Sequence, residues 1–357
     1  MLIILEVQKL SKRSLIKTIG LLQVIEKEGF PAYIAGPCLE RILTGNEFNR
    51  CEIITEASFC VLKSIFPDLQ SPQDSGAESS PEDIRTAQLV LKDKNACMTV
   101  NFHTGLAIRA YLDSCIFTCD AAAMNRKEEW IERHDGKHDL LHKTIDTIED
   151  PKALFQRDPV TMMTTIRYAA ESGFTIADRV RNASRKYAGL LRKAAPAVRE
   201  QIRDDFITIL TSDHAGHGLE MLGMTDTLQA IIGLRRARIM KTAELRAFKD
   251  LWTEMDNLPN ERLERICMFY LCFEGRNMAE LAEQLPYDDE VMSRIQDAQK
   301  YLPRISMIRK KQSLLDLIDE IGLDRYRFLD RLTIDQAKAY GLSDKKSRER
   351  AKLLADQ

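Results

Sequence analysis

The pattern of apolar residues changes near residue 124, and this change constrains the fold of the chain more than any other sequence feature. Before it, short apolar runs bounded by turn residues alternate with short helical patterns. After it, apolar residues recur at three- and four-residue spacing through the rest of the chain. The sequence therefore predicts an α+β head followed by an elongated all-α remainder, so that the protein is mostly helical overall.

The head begins with one helical segment and two strand-like segments. Residues 11–28 carry apolar side chains at helical spacing and predict the first helix. Residues 32–36 predict a short strand that enters a turn, and residues 37–45 predict a short helix with proline in its first turn. Residues 51–55 predict a second strand, and the two runs that flank residues 93–95 predict a hairpin.

Size and charge restrict the classes of function. A chain of 357 residues is too long for one compact core and predicts two to four domains. The net charge of −2 gives no whole-chain argument for nucleic acid, so any such argument depends on local patches. No apolar stretch approaches the length of a membrane span, and the eight cysteines are scattered without a CxxC pair. We expect a cytoplasmic protein with reduced thiols and no membrane contact.

Four segments follow one another in an informative order. They are Tyr33–Gly45, Arg50–Thr55, Ser114–Ala122 and Arg157–Phe174. Over residues 15–235, the chain resembles the bacterial tRNA nucleotidyltransferase (CCA-adding enzyme) and poly(A) polymerase family. The resemblance implies a nucleotidyltransferase-like head followed by a helical neck, body and tail. We predict these four parts at residues 1–123, 124–194, 195–275 and 276–357.

The first segment aligns with the family's glycine turn, YLVGGAVRDLLLG, whose paired glycines let the backbone approach a triphosphate. Gly36 keeps the first glycine, but Pro37 replaces the second and removes a backbone N–H. Glu40 replaces the basic residue after the turn, and Arg41 replaces the acid that follows it. Because a carboxylate repels a triphosphate, we expect Glu40 to weaken nucleotide binding.

The second segment aligns with the family pattern DIDIVT, whose two acids bind Mg²⁺ from one face of a strand. Arg50 replaces the first acid, and Glu52 replaces the second with a side chain that is one methylene longer. The third acid of the family site aligns with Met98 in a later strand. The resemblance therefore implies a metal site with one remaining carboxylate, and we expect no bound metal or cofactor.

The third segment aligns with the family stretch RRDFTINALA, which supplies an Arg and an Asp near the ribose. These two positions read Cys115 and Ile116, and the Asn position reads Asp120. The apolar frame of the segment is kept while its polar contacts are lost.

The fourth segment aligns with the helix that reads the incoming base, EDPLRMLRAIRFAAELGF in the family. Asp158 is kept, but Thr161 replaces the Arg that contacts the base with it, and Thr164 replaces the next Arg. Arg167 is kept. Asp158 before Pro159 is also a strong helix start, so its presence does not indicate activity.

Charged positions change together while apolar and turn positions persist, and this pattern predicts a catalytically inactive member of the family, with no catalytic residue. The expected remnants of the nucleotide pocket are Gly36, Asp120, Asp158 and Arg167, and Glu52 is the remnant of the metal site. Such a protein acts as a scaffold that binds RNA or a protein.

Two alternatives stay open at this point. The chain is an active, divergent, Mg²⁺-dependent RNA 3′-end nucleotidyltransferase if Glu52 acts together with another carboxylate, such as Asp113 or Asp120. It is a purely structural protein-binding module if it binds no RNA.

Basic residues cluster in the helical half and are candidates for RNA contact, because lysine and arginine stripes gain affinity by counterion release. Further basic stretches lie at residues 235–241 and 345–350, and a solvated helix face is the alternative for each cluster. The resemblance implies tRNA or another structured RNA as a partner, and an active paralogue is a candidate protein partner. The RNA-binding candidates are Arg185, Lys186, Arg192, Lys193, Arg309, Lys310 and Lys311.

Three histidines, His134, His138 and His142, follow one another at four-residue spacing, so two of them on a helix can share a face and bind a metal. The resemblance places them at a loop-to-helix junction, which favours surface histidines over a metal site. The cysteine pairs at 115 and 119 and at 267 and 272 have poor spacing for zinc and lie in apolar runs. We therefore expect these thiols to pack in the core.

Overall fold

The structure is a computed structural model that describes residues 2–71, 85–93, 96–233, 242–273, 275–341 and 345–355. Within these ranges, the side chains of residues 2–12, 93, 96, 242 and 354–355 are not described. The chain divides into two compact units, Met1–Glu149 and Asp150–Gln357. The finer division into head, neck, body and tail stays a prediction, and the basic stretch at 235–241 lies outside the described residues.

A mixed sheet forms the centre of the first unit. Its strands are β1 (Ala32–Ala35), β2 (Arg50–Thr55), β3 (Thr86–Asp93), β4 (Ala96–His103), β5 (Ala122–Met124) and β6 (Trp130–Glu132). Their order across the sheet is β3-β4-β2-β1-β5-β6, and β2 runs parallel to β4 while the other neighbours are antiparallel. The structure confirms the predicted α+β head. β6 lies beyond residue 124, where helices were predicted, because a three-residue strand is too short to show a period of two.

The helices of the first unit include a long N-terminal helix and short connecting helices. They are α1 (Leu2–Lys27), α2 (Cys38–Thr44), α3 (Phe59–Ile65), α4 (Ile108–Ser114) and α5 (Gly136–Leu141). α1 begins at Leu2 rather than at the predicted residue 11, because no glycine or proline interrupts residues 2–19. Its buried face carries Leu22 and Ile25. The strand β7 (Thr144–Ile145) follows α5.

The second unit is built from helices, as predicted for the remainder of the chain. They are α6 (Pro151–Arg157), α7 (Thr161–Ser172), α8 (Asp178–Tyr187), α9 (Pro196–Thr211), α10 (Ala215–Met224), α11 (Thr227–Ile231), α12 (Thr242–Glu254), α13 (Arg262–Leu271), α14 (Met278–Ala282), α15 (Asp289–Met307), α16 (Lys311–Ile321), α17 (Leu323–Ala339) and α18 (Lys345–Ala355). A two-residue strand, β8 (Thr175–Ile176), lies between α7 and α8. Among the residues described, no helix combines the length and apolar character of a membrane crossing.

A cluster of aromatic rings and one buried arginine organise the core of the second unit. The ring of Phe269 packs edge to face against the rings of Phe206 and Phe248. Arg265, also on α13, is almost fully buried, and its guanidinium donates hydrogen bonds to the carbonyl oxygens of Leu210 and Leu258. These bonds satisfy donors that burial removes from water, and they connect the ends of neighbouring helices.

Gly136 allows α5 to pack closely against the turn at residues 118–121. A Cβ atom at Gly136 would lie 2.5 Å from the carbonyl oxygen of Thr118 and 2.9 Å from that of Ala121. Both neighbours are backbone atoms, which cannot move without shifting the turn. α5 therefore begins at a glycine because any larger residue would push the helix away.

We predict that Gly136→Ala lowers the free energy of unfolding by about 1–3 kcal/mol, because the added methyl group overpacks this contact. Gly20→Ala is the matched control, since Gly20 lies within α1 and a Cβ there meets no atom within 4 Å. That control should stabilise the protein by about 0.5–1 kcal/mol through helix propensity. Urea denaturation followed by circular dichroism measures both changes, and equal effects of the two substitutions would contradict the packing model.

Candidate functional site

The candidate site lies on one face of β2, near the middle of the sheet. Arg50 and Glu52 are two residues apart on this strand, so their side chains project from the same face. Arg50 is exposed, whereas the Glu52 side chain is 29% exposed. A cation and a carboxylate therefore share the face on which the resemblance implies two metal-binding acids.

His103, at the end of β4, is the partner of the Glu52 carboxylate. Its Nε2 lies 3.1 Å from Oε2 of Glu52, and its ring packs against Tyr111 with a centroid separation of 5.3 Å. The resemblance aligns Met98, also on β4, with the third metal-binding acid of the family. The parallel register pairs Glu52 with Asn101, and Met98 is an odd number of residues from Asn101, so its side chain lies on the opposite face. His103 is two residues beyond Asn101 and reaches Glu52.

The glycine turn lies directly against Glu52. Gly36 has a φ of +78°, and a Cβ atom there would lie 3.0 Å from Cδ of Glu52. Only glycine adopts this conformation without strain and also leaves room for the carboxylate. Pro37 follows with a φ of −60° and precedes α2. The structure thus brings two predicted remnants, Gly36 and Glu52, together.

Glu40, the carboxylate that was expected to weaken nucleotide binding, has two cations beside it. It is buried on α2, and its Oε1 lies 2.9 Å from Nζ of Lys143, while its Oε2 lies 3.7 Å from Nε of Arg41. The two cations offset the negative charge of Glu40. Glu40 therefore repels a triphosphate less strongly than a carboxylate without neighbouring cations would.

Two partly buried side chains in this part of the first unit, Tyr111 and Cys115, are affected by the negative charges of Glu52 and Asp120. Burial raises the pKa of the Tyr111 hydroxyl, and the negative charges of Glu52 and Asp120 raise it further. Burial, together with the same two carboxylates, raises the pKa of the Cys115 thiol to about 12. Cys115 is therefore a neutral thiol at pH 7, and its Sγ donates to the carbonyl oxygens of Tyr111 and Asp120. No cation stands where the family has its arginine.

The carboxylates proposed as additional metal ligands do not gather around Glu52 as a recognisable metal site. Asp113 forms an ion pair with Arg133, with 2.7 Å between Oδ1 and Nε. Asp120 interacts electrostatically with Tyr111 and Cys115. Within the described ranges, no group of three or more His, Cys, Asp or Glu residues is arranged to hold a metal ion.

Asp158 lies in the turn between α6 and α7 in the second unit, three residues before α7 begins. Its Oδ1 accepts a hydrogen bond from the backbone N–H of Val160 at 3.2 Å, and its Oδ2 accepts one from the Thr161 hydroxyl at 2.9 Å. Thr161 replaces the family's arginine and is buried. The predicted helix start at Asp158 is confirmed, and the carboxylate is used within the helix terminus.

Arg167, the other predicted remnant on α7, forms two ion pairs within the second unit. Its Nε lies 2.9 Å from Oδ1 of Asp205, and its Nη1 lies 2.9 Å from Oε2 of Glu171. Burial raises the pKa of Asp205, and the charge of Arg167 opposes that increase. Arg167 therefore stabilises a buried carboxylate on α9.

The predicted RNA-binding residues have different local environments. The guanidinium of Arg185 lies 3.5 Å from Asp226, and the ammonium of Lys186 lies 5.5 Å from the centroid of the Tyr187 ring. Arg192 and Lys193 end the 3₁₀ turn that follows α8, and Lys193 is exposed.

The second predicted cluster lies at the start of α16. Arg309 donates from Nη1 to the carbonyl oxygens of Ser306 and Ile308, which fixes its guanidinium near the end of α15. Lys310 is exposed and precedes α16, and Lys311 is its first residue. The structure thus places both clusters at helix ends.

Sequence comparison relates the chain to tRNA-processing enzymes, although no family model matches it. The CCA-adding enzyme of Levilactobacillus brevis is 29% identical over 223 residues, which cover 58% of this chain and 53% of that protein. The CCA-adding enzyme of Bacillus pumilus is 24% identical over 272 residues, covering 70% of this chain and 65% of that protein. The chain therefore spans between half and two thirds of the length of these relatives.

Solved structures show the same fold. The structure of the Bacillus stearothermophilus CCA-adding enzyme in complex with CTP has a TM-score of 0.73 at 19% identity, covering 96% of this chain and 83% of that chain. The Thermotoga maritima CCA-adding enzyme complexed with tRNA_CCA has a TM-score of 0.61 at 17% identity, covering 98% and 85%. The α+β head and helical remainder are thus the fold of CCA-adding enzymes.

We predict that Arg167→Met lowers the free energy of unfolding by about 1–3 kcal/mol at pH 7, because Asp205 loses its cation. The pKa of Asp205 is already raised, so it rises further in the variant. The destabilisation should therefore shrink at about pH 4, near the ordinary pKa of aspartate, as Asp205 becomes protonated in the folded state. Urea denaturation of the wild type and the variant at both pH values measures this loss of stability.

Arg185→Met is the matched control for Arg167→Met, because it removes an exposed arginine from a longer contact at 3.5 Å. Its effect on stability should stay within about 0.5 kcal/mol at either pH. A loss in Arg167→Met that is small, or that is the same at both pH values, would show that Asp205 does not depend on Arg167.

Proposed function

We propose that this chain, a relative of the bacterial CCA-adding enzymes that has their fold, no longer transfers nucleotides and acts as an RNA-binding scaffold. The observation that carries the proposal is the charge on one face of β2. Arg50 stands where the resemblance implies a metal-binding acid, and the remaining carboxylate, Glu52, is in contact with His103.

Electrostatics supports this proposal. Phosphoryl transfer by two metal ions needs carboxylates that collect the ions and offset their mutual repulsion. A guanidinium at 4 Å opposes each unit of cation charge by about 4 kcal/mol at an effective dielectric constant of 20. On this face of β2, Glu52 supplies one negative charge, and Arg50 supplies a positive charge that opposes the binding of a dication.

A second candidate function is an active, divergent, Mg²⁺-dependent nucleotidyltransferase that adds CCA or a poly(A) tail to RNA. Two observations favour it: the relatives that match the chain are named CCA-adding enzymes, and Glu52 still lies against the turn at Gly36. In this version, Glu52 together with another carboxylate, such as Asp113 or Asp120, would hold Mg²⁺. The glycine turn would then hold the triphosphate.

We predict that the purified chain does not extend RNA when it is incubated with Mg²⁺ or Mn²⁺, labelled CTP or ATP, and tRNA that lacks its CCA end. Glu52→Gln removes the remaining negative charge with little change in shape and should leave this null result unchanged. If the wild type extends the RNA and Glu52→Gln does not, the second candidate is correct and the proposal is wrong.

We predict that Arg50→Asp increases Mn²⁺ binding to the head at least tenfold, because it restores a pair of carboxylates at alternate positions of β2. The signal of free Mn²⁺ in electron paramagnetic resonance measures the binding. Lys127→Asp is the control, since it makes the same charge change at an exposed residue between β5 and β6. Equal increases in both variants would show that Mn²⁺ binding depends on the net charge of the protein and not on the pair of carboxylates on β2.

RNA binding is the positive part of the proposal, and the basic cluster around α8 supports it. The solved Thermotoga maritima neighbour is complexed with tRNA, and the residues of this cluster that are not buried include Arg185, Lys186 and Lys193. We predict that the chain binds tRNA and that affinity falls with salt. The triple variant Arg185→Ala/Lys186→Ala/Lys193→Ala should reduce the slope of log K against log[salt] by about 2–3, since each phosphate contact contributes about 0.9.

Fluorescence anisotropy with labelled tRNA measures this slope, and Lys249→Ala, an exposed residue on α12, is the control. If the triple variant has the same slope as the wild type, RNA does not contact the basic cluster around α8. If the chain fails to bind any RNA at low salt, it is instead a protein-binding module, and an active paralogue becomes the partner to test.

A further inference from the structure

The helix α18 is attached to the second unit through two buried polar residues. It lies against α16 and α17, and Ser347 and Arg350, three residues apart on one face, are 6% and 2% exposed. The other residues of α18 whose side chains are described are exposed, except Leu353, which is half-buried. Within this described part of α18, a polar contact therefore takes the place of the apolar face that attaches most surface helices to a core.

Asp330 on α17 lies at the centre of this contact. Its Oδ1 accepts hydrogen bonds from Nε and Nη2 of Arg350, at 2.9 and 2.6 Å, and from the Ser347 hydroxyl at 3.1 Å. Nη2 of Arg350 also donates to Oγ1 of Thr333, another residue of α17, at 2.8 Å. Two side chains from each helix thus form one network of hydrogen bonds around a buried ion pair.

A buried ion pair is a weak way to hold a helix in place. The cost of removing two charges from water offsets much of their mutual attraction, whereas an apolar face gains free energy from every methylene that it buries. Detachment of α18 would hydrate both charges again, so we expect it at a lower free energy than the unfolding of the whole unit. Gly341 lies between α17 and α18, and a Cβ placed there meets no atom within 4 Å. A glycine in open space can absorb the backbone change that detachment requires.

We propose that α18 is a detachable helix, which docks on α17 through the ion pair of Arg350 and Asp330 and leaves it as one unit while the rest of the second unit stays folded. The basic stretch predicted in this part of the chain moves with it. Lys345, Lys346 and Lys352 are exposed in the docked state, so docking fixes the position of a cationic surface and detachment releases it. The inference does not depend on the proposed function, because no residue of β2 or α8 takes part.

Hydrogen–deuterium exchange of the full-length chain, resolved by mass spectrometry, tests this proposal. In the wild type, the amides of α18 should be protected about tenfold less than those of α13, which carries the aromatic core. Asp330→Asn should increase the exchange of α18 by about a further tenfold and leave α13 unchanged, because the buried Arg350 loses its anion and gains by returning to water. Arg348→Gln is the matched control, since it removes an exposed arginine from the same helix. It should change the exchange of α18 by no more than about twofold.

A second substitution separates the ion pair from a general loss of stability. Arg350→Gln, added to Asp330→Asn, replaces the two charges with two amides that can bond to each other without a buried charge. The double variant should therefore exchange α18 more slowly than Asp330→Asn alone. The proposal is overturned if α18 and α13 are equally protected in the wild type, or if Asp330→Asn does not accelerate α18 selectively. It is equally overturned if the double variant exchanges α18 as fast as Asp330→Asn or faster.

Discussion

The charge on one face of β2 is the constraint on which the rest of the account depends. Arg50 brings a guanidinium to this face, and Glu52 contacts His103 from the parallel neighbour β4. Arg50 and Glu52 carry opposite charges, whereas two magnesium ions require a strongly negative site. The fold around this face is that of the CCA-adding enzymes.

Four charged side chains at positions that the resemblance singles out each have a partner within their own unit. The Glu52 carboxylate contacts His103, and Glu40 pairs with Lys143. In the second unit, Asp158 accepts a hydrogen bond from Thr161, and Arg167 pairs with Asp205. An unpaired buried charge is costly, so these contacts stabilise the four side chains.

The fold was predictable from the sequence because it depends on apolar periodicity and turn residues, which local patterns record. The strand at Arg50–Thr55 and the helix that starts after Asp158 are confirmed within about two residues, the usual precision of element boundaries. The contacts of the site were less predictable. His103 was missed because its approach to Glu52 depends on the parallel register of two strands that are distant in sequence. The ion pair of Glu40 was not predicted because Lys143 is remote in the chain.

A measurement of whether metal binds beside Glu52 on β2 tests the central claim most directly. Crystals of the full-length chain would be soaked with Mn²⁺ and CTP, and anomalous diffraction would be recorded at the manganese edge. The account predicts no anomalous peak within coordination distance of Glu52, with the His103 contact retained. Two peaks that bridge Glu52 and the triphosphate of CTP would contradict it and would identify the chain as an active nucleotidyltransferase.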